Sequence, residues 1–401
     1  MTSKPVYQTV TLHPASYRHL NNGHPWVYQD KFTDRFKGKV KFLVAHDKST
    51  KNYFLLLNDP QHPKVKARLW SKSKEEYSDP SQYFLQELRE RLITSLEKRV
   101  PFIEKNEREN FYLIFGEADH LPGVFLLKLG KGYIIQTYSN IWKKFQKEFI
   151  SLLRKILQNK GLDYSWIAWQ EREDSKNANI RPLYGKLPET ITIHEWGVKY
   201  QIKLNQGYDL GVYTDMASIR RKFKGIFKEK SFLNLYAYTG AWSLYALSRG
   251  AKEVVSSDLS KKYLKWLDEN RELNSFLNDH ESIEGDNSKV LQKLIDSGRK
   301  FNIILCDPPS FSSNKKNSST SFNSYDHTLP LISKLLKQNG LAICFINTHS
   351  ISWKKFENKM APLASSLGFT LKEKVKLGED CPTLKSFPEG DYIKGIVLTK
   401  K

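Results

Sequence analysis

The residues with the strongest chemical character lie in the C-terminal half, where polar side chains directly follow apolar runs. The apolar run at residues 303–306 leads into Asp307-Pro-Pro-Ser-Phe311. Consecutive prolines stiffen such a turn, so the Asp307 carboxylate becomes a fixed acceptor and the Phe311 ring can stack on an extruded base. We therefore expect Asp307 and Phe311 to be catalytic. A proline-rich exit from a strand is the structural alternative.

A second polar segment points to a nucleoside cofactor without a pyrophosphate. Tyr236-Ala-Tyr-Thr-Gly240 contains one glycine, whereas a dinucleotide-binding turn needs three. Asp258 ends the next predicted strand, 18 residues beyond Gly240, which is close to the spacing of about 20 expected for a carboxylate that accepts both ribose hydroxyls. NAD and S-adenosylmethionine both need this acid, and the missing glycines favour the methyl donor.

Three more carboxylates fit the same cofactor. Asp307 and Asp215 would attract the cationic sulfonium of S-adenosylmethionine. Asp286, in Glu284-Gly-Asp-Asn287, stands where a third loop would bond the adenine amine, and a plain turn is the equal alternative.

These side chains meet only if the strands that precede them lie parallel in one sheet. Predicted strands at residues 232–236, 254–258, 303–307 and 341–346 alternate with predicted helices that run through Leu247, Leu273 and Leu336. The repeated βα units predict a doubly wound, Rossmann-like α/β domain over residues 189–401. A hairpin with its turn at Trp196-Gly197 opens this domain, and the low-complexity segment 312–321 is expected to form a loop over the site.

Two smaller domains are expected to precede the Rossmann-like domain. Short predicted strands indicate a small β-domain over residues 1–72, and a helical pattern from residue 77 to 103 opens an α+β middle domain over residues 73–188. In the β-domain, His24-Pro-Trp-Val-Tyr28 sets aromatic rings beside basic residues. These rings stack on RNA, or Trp26 fills the core of a small barrel. The residues expected to share the apolar face of the helix are Phe84, Leu85, Leu88, Leu92 and Leu96.

The charge balance favours a phosphate-rich partner. Lys and Arg number 64 against 43 Asp and Glu, which gives a formal net charge of +21. Such a charge supplies the salt-sensitive part of RNA affinity, with a solubility role or an anionic membrane surface as weaker alternatives. Three widely spaced cysteines fit a reducing compartment. With no secretory leader or membrane span in the sequence, we expect a cytoplasmic protein with no membrane partner. A homodimer is left open.

Several motifs together resemble the bacterial large-subunit ribosomal RNA methyltransferases. The matching motifs occur in the family's order and span nearly the whole chain. His24–Tyr28 and Arg68–Trp70 resemble the PUA-like N-terminal domain of this family, and residues 116–123 resemble its middle domain. The motifs in the Rossmann-like half are Gln206-Gly-Tyr-Asp-Leu-Gly-Val-Tyr-Thr-Asp-Met-Ala-Ser-Ile-Arg220, Tyr238-Thr-Gly240, Ser257-Asp258, Asp307-Pro-Pro-Ser-Phe311 and Pro388-Glu-Gly-Asp-Tyr-Ile-Lys-Gly395.

The resemblance implies S-adenosylmethionine as cofactor and RNA, from the large ribosomal subunit, as partner. It implies that Asp215 and Arg220 belong to the loop that closes the cofactor pocket. Arg220 and Arg221 would otherwise hold RNA phosphate or form a solvated charge pair. The cofactor contacts that it implies are Tyr238, Thr239, Gly240, Asp258, Asp286 and Asp307.

One departure from the family's pattern bears on the reaction. The cytosine-C5 members carry a catalytic cysteine after the strand that here ends in Phe345-Ile-Asn-Thr-His-Ser350, and Asn347 stands at about its place. Carbon 5 of cytosine is a poor nucleophile until a thiolate adds to the ring, whereas a ring nitrogen carries a lone pair. A related branch with Asn at this position methylates guanine N7. We therefore expect direct transfer to a nitrogen, with Asp307 and Asn347 orienting the base.

Three rival functions are compatible with the same sequence. The first is cytosine-C5 methylation with a relocated cysteine, for which Cys381 is more open than Cys306 or Cys344. The second is an RNA-binding or ribosome assembly factor without catalysis. The third, methylation of a small acidic metabolite, is disfavoured by the net charge.

Overall fold

The computed structural model describes residues 7–173, 179–205, 210–276, 278–309 and 321–401. Its first part is a five-stranded sheet with the order β1-β3-β4-β5-β2, in which β1 pairs parallel to β3 and the other pairs are antiparallel. The elements are β1 (Tyr7–Val10), α1 (Pro14–Asn21), β2 (Trp26–Tyr28), β3 (Phe42–Asp47), β4 (Asn52–Asn58) and β5 (Val65–Ser73).

The middle part is a second five-stranded sheet, with the order β10-β9-β8-β7-β6. The predicted helix 77–103 is divided in two, and the longer piece starts at Pro80 because Asp79 accepts hydrogen bonds from the backbone N–H groups of Ser81 and Gln82. Leu85 was wrongly assigned to the buried face, since it is 41% exposed. The elements are α2 (Pro80–Glu97), α3 (Val100–Glu104), β6 (Asn110–Phe115), β7 (Val124–Leu129), β8 (Gly132–Thr137), α4 (Gln146–Asn159), β9 (Trp166–Glu171) and β10 (Ile180–Tyr184).

The predicted hairpin is confirmed and leads into the third part. Its strands are β11 (Thr190–Glu195) and β12 (Val198–Lys203). Trp196 and Gly197, with φ of +52° and +84°, form the two-residue turn. Positive φ at both central residues matches the twist of a two-residue hairpin, which explains the glycine at the second position.

The third part is the expected doubly wound α/β domain. Its sheet has the order β15-β14-β13-β16-β17-β19-β18, parallel from β15 to β17, with β19 antiparallel to both of its neighbours. The strand order reverses at β13, which is where such sheets bind ligands. The elements are α5 (Ala217–Lys222), β13 (Ser231–Leu235), α6 (Ala241–Ser248), β14 (Glu253–Asp258), α7 (Lys261–Asn274), β15 (Asp279–Glu284), α8 (Asn287–Asp296), β16 (Phe301–Cys306), α9 (Ser321–Leu335), β17 (Leu336–Asn347), α10 (Trp353–Ser366), β18 (Phe369–Val375) and β19 (Ile393–Lys400).

Buried clusters cross the boundaries that were predicted at residues 72 and 188. One cluster joins Phe42 and Leu55 of the first sheet to Phe84 of α2 and Phe111 of the second sheet. Another joins the opposite face of the second sheet to the hairpin and to the Rossmann-like sheet. The three-domain division stays a prediction, and the shared cores fix the three parts against one another. Within the described ranges, no helix combines the length and apolar character that crossing a membrane requires.

Candidate functional site

The loop after β13 is held in an unusual backbone conformation at the carboxyl edge of the sheet. Tyr236, Tyr238 and Gly240 have φ of +58°, +52° and +83°. The left-handed region costs energy for residues with a side chain, so surrounding contacts must hold the two tyrosines there. One such contact is the hydrogen bond that the Tyr238 backbone N–H donates to Asp258 Oδ2 at 2.9 Å.

Gly240 is required for packing as well as for its backbone conformation. A Cβ atom added at Gly240 would lie 2.3 Å from Leu267 Cγ on α7. The side chains of Tyr238 and Thr239 face the segment before α5, because the Tyr238 hydroxyl accepts from the Gly211 N–H at 3.0 Å and the Thr239 hydroxyl donates to the Gly211 carbonyl. The loop and that segment therefore form one unit.

Asp258 lies at the end of β14, where the sequence placed the ribose acceptor. Its Oδ1 accepts from the Ser260 N–H and its Oδ2 from the Tyr238 N–H, both at 2.9 Å. Each carboxylate oxygen retains a lone pair for a further donor. Leu259, which sequence reasoning missed, is a 62% exposed apolar side chain in the residue directly after this carboxylate. Its signal in the sequence was a large apolar residue directly after the acid at a strand end.

Asp286 is exposed and caps α8. Its Oδ1 accepts from the Ser288 N–H at 3.0 Å and from the Lys289 N–H at 3.3 Å. The turn lies beside Asp258, since the Gly285 N–H donates to the Asp258 carbonyl at 3.0 Å. The contact with adenine stays a prediction, and the cap gives this carboxylate a structural role.

Asp215 is a buried carboxylate with one oxygen unused. Its Oδ2 accepts from the Tyr392 hydroxyl at 2.6 Å, while its Oδ1 has no hydrogen-bond partner from another described residue. Burial raises the pKa of Asp215. An orphaned buried acceptor is costly unless a ligand supplies a donor or a positive charge.

Arg220 is 1% exposed and forms a bidentate ion pair with Glu195 of β11, with N–O distances of 2.7 and 2.8 Å. It also donates to the Tyr213 carbonyl at 3.1 Å. These bonds use three of its five N–H donors, and its burial keeps it from reaching RNA phosphate. The arrangement supports a role in holding the segment that carries Asp215. Arg221 is paired with Glu107 at the surface.

Asp307 follows β16 and is partly buried. Burial, with the nearby Asp215 carboxyl as a second cause, raises the pKa of Asp307 to about 7. The expected stacking residue Phe311 and the predicted loop at 312–321, apart from Ser321 at the start of α9, lie outside the described residues.

A cleft of about 720 Å³ opens between all three parts of the chain, and Asp215 is the one of these four carboxylates that lines it. Asp215, Tyr238 and Asn347 line its Rossmann-like side. Asn347 is the last residue of β17, level with Ile393 of β19. The walls are rich in aromatic rings, an arrangement that suits a flat, unstacked base. The rings that line the cleft belong to Trp26, Tyr28, Tyr112, Phe115, Phe125, Tyr138, Tyr213, Tyr238, Phe387 and Tyr392.

None of the three cysteines is placed to act as a nucleophile. Cys306, Cys344 and Cys381 are all buried, and none lines the described wall of the cleft. Burial raises the pKa of Cys344 to about 12 and those of Cys306 and Cys381 well above the ordinary thiol value. A thiol held in the neutral form is inert. The loop position of Cys381 does not make its thiol accessible, because the residue is only 1% exposed.

These residues fit S-adenosylmethionine. Asp258 and Leu259 could offer an acceptor and an apolar surface to the adenosine, and the carboxyls of Asp215 and Asp307, when ionised, could offer negative charge to the sulfonium. The strongest indication is Asp215, which lines the cleft and whose buried Oδ1 has no hydrogen-bond partner from another described residue.

Comparison with known proteins gives a consistent result. The model of the S-adenosylmethionine-dependent methyltransferase family matches residues 122–395. Ribosomal RNA large subunit methyltransferase I from Pseudoalteromonas translucida (strain TAC 125) is 28% identical over 402 residues, covering 97% of this chain and 98% of that protein. The protein of the same name from Klebsiella pneumoniae (strain 342) is 27% identical over 398 residues, covering 98% of each chain.

Two solved structures share the fold over almost the entire chain. One is described as a methyltransferase complexed with SAH, with a TM-score of 0.85, 20% identity, and coverage of 98% of this chain and 100% of that chain. The other, from Streptococcus mutans, is described as a SAM-dependent methyltransferase, with a TM-score of 0.84, 19% identity, and coverage of 98% and 99%.

Proposed function

Because the chain belongs to the S-adenosylmethionine-dependent methyltransferase family, we propose that it methylates a base of large-subunit ribosomal RNA. The observation that carries this proposal is the aromatic cleft, whose wall includes the carboxylate of Asp215. A base can enter such a cleft only after it has left its stack, which is how enzymes that modify bases gain access to them. The net charge of +21 and the names of the relatives support RNA as the substrate.

The cofactor residues have distinct proposed roles. Asp258 accepts the ribose hydroxyls, Leu259 packs on the adenine, and Asp215 with Asp307 holds the positively charged end. Tyr238, Thr239 and Gly240 form the loop beneath the cofactor, and Arg220 keeps Asp215 in place through Glu195. When bound, S-adenosylmethionine supplies an electrophilic methyl group on sulfur.

We propose that the acceptor is a nitrogen, for which guanine N7 is the model case. Transfer to cytosine C5 needs a thiolate, and all three thiols are buried with raised pKa values. A nitrogen lone pair needs only positioning, because no covalent intermediate has to form. Asn347 lines the cleft at the end of β17 and can hydrogen-bond the base edge. Asp307, directly after β16, is proposed to orient the base.

The test is to identify the methylated nucleoside. Unmethylated ribosomal RNA is incubated with the protein and labelled S-adenosylmethionine, digested to nucleosides and separated by mass spectrometry. Methylguanosine or methyladenosine supports transfer to nitrogen, whereas 5-methylcytidine contradicts it. A Cys306→Ser, Cys344→Ser, Cys381→Ser variant is the matched control, since it should retain methyl transfer if no thiol takes part.

A further inference from the structure

Strand β2 presents two different faces to its surroundings. Successive side chains of a strand point in opposite directions. Val27 is fully buried in the core of the first sheet, whereas Trp26 and Tyr28 on the other face line the cleft. The N-terminal part thus contributes directly to the wall of the cleft, more than 200 residues away in sequence from the Rossmann-like strands.

Trp26 is fixed as the back of this wall. Its indole N–H donates to Glu117 Oε1 of the middle part at 2.7 Å. Its ring packs edge-on against Phe387, with 4.6 Å between ring centroids, and lies 6.1 Å from the Tyr28 ring. Tyr28 is 36% exposed and therefore presents the accessible ring of the group.

The Tyr28 ring is held in place from the Rossmann-like side. Its hydroxyl donates to Glu389 Oε1 at 2.8 Å, and His24 lies 3.3 Å from the same carboxylate. Although burial opposes the charged form, hydrogen bonds from His24 and Tyr28 lower the pKa of Glu389 to about 2. Glu389 is therefore ionised at every working pH, and its hydrogen bond with Tyr28 helps to keep the exposed ring at the rim of the cleft.

A cation accompanies the ring. Tyr28 pairs with Val65 of β5, and the preceding residue, Lys64, is exposed and lines the cleft. An aromatic face with a neighbouring ammonium group is the combination that binds a base and its phosphate in single strands. A duplex cannot use such a ring, because its bases are already stacked on one another.

We propose that Tyr28 is a stacking platform for an unpaired nucleotide adjoining the target base, with Lys64 binding the intervening phosphate. This inference rests on the proposed function, since the target base must enter the cleft for its neighbour to reach the rim. The chain then recognises at least two unstacked nucleotides, and its substrate is a single-stranded or looped region of RNA.

The inference is tested by binding, without methyl transfer. The full chain with SAH is titrated into a 12-nucleotide single-stranded RNA and, separately, into the duplex of the same sequence. Fluorescence anisotropy measures the binding in each case. Stacking of a base on an aromatic ring contributes to the free energy of binding, so Tyr28→Ala should weaken single-strand binding roughly 5- to 150-fold. Duplex binding should change much less. Tyr28→Phe, which keeps the ring, should retain most of the single-strand affinity.

Tyr184 provides the matched control, because it is 40% exposed on β10 and is not part of the cleft wall. Tyr184→Ala should leave single-strand affinity unchanged. A 2-aminopurine in the RNA should be quenched by the parent chain and by Tyr28→Phe but not by Tyr28→Ala. Stabilisation of each variant by SAH in a melting experiment shows that it is folded.

Two results overturn the inference. One is an equal loss of single-strand and duplex affinity in Tyr28→Ala, and the other is a loss in Tyr28→Phe as large as that in Tyr28→Ala. Absence of any RNA binding by the parent chain would instead refute the proposed function itself. A chain that binds single strands through Tyr28 but transfers no methyl group would leave the stacking inference standing.

Discussion

Lowering the pH from 8 to 6 should weaken binding of S-adenosylmethionine about tenfold, because Asp307 takes up a proton in this range. Burial and the nearby Asp215 carboxyl raise the pKa of Asp307 to about 7. A group with that pKa is ionised in about one tenth of the molecules at pH 6 and in about nine tenths at pH 8. If the ionised form alone attracts the sulfonium, the affinity changes about tenfold, or about 1.4 kcal/mol.

Calorimetric titration at pH 6, 7 and 8 measures this dependence, with SAH as the reference ligand. SAH lacks the positive charge on sulfur, so its affinity should vary much less over the same range. The side chain in Asp307→Asn cannot ionise, so this variant should bind S-adenosylmethionine with nearly the same affinity at all three pH values. Asp286→Asn retains a side chain that can cap α8 and should keep the pH dependence of the parent chain. The same pH dependence for both ligands, or its persistence in Asp307→Asn, would refute the role given to Asp307.

Three further substitutions separate structural roles from cofactor contacts. Asp286→Ala should lower the free energy of unfolding, measured in urea, by about 1 kcal/mol because α8 loses its cap. A tenfold or larger loss of cofactor affinity in a still-folded variant would instead indicate that Asp286 contacts the cofactor directly. Gly240→Ala should destabilise the chain by about 1–3 kcal/mol, since its methyl group collides with Leu267; an unchanged melting temperature would contradict the packing. Glu195→Gln should lower the free energy of unfolding by about 3–5 kcal/mol, because it leaves the charge of Arg220 buried without its partner. A loss below about 1 kcal/mol would show that this ion pair does not hold the segment that carries Asp215.

The sequence predicted the central strands of the sheet well and its edges poorly. Strands β13, β14 and β16 are buried along most of their length, and each carries adjacent large apolar residues that marked it in the sequence. Strand β15 was missed because it lies at the edge and is largely exposed, with the polar sequence Asp279-His-Glu-Ser-Ile-Glu284. Strands β18 and β19 were also missed, because they follow no repeated βα spacing.

The site residues divide in a similar way. Positions that depend on the local sequence could be predicted, whereas contacts between distant segments could not. Asp258 and Asp307 could be placed because their roles depend on position at the end of a strand. The pairing of Arg220 with Glu195 and the contact of Tyr28 with Glu389 join residues far apart in sequence, with no local signal for either. For this reason sequence reasoning assigned Arg220 to the cofactor pocket and could not decide whether Trp26 faced RNA or a core.

Transfer of labelled methyl groups to purified, unmethylated large- and small-subunit ribosomal RNA tests the central claim most directly. The account predicts label in a base of the large-subunit RNA, with little in the small-subunit RNA, and loss of that label in Asp258→Ala through weakened cofactor binding. Cofactor binding without transfer to either RNA, or transfer to a small metabolite instead, would contradict it.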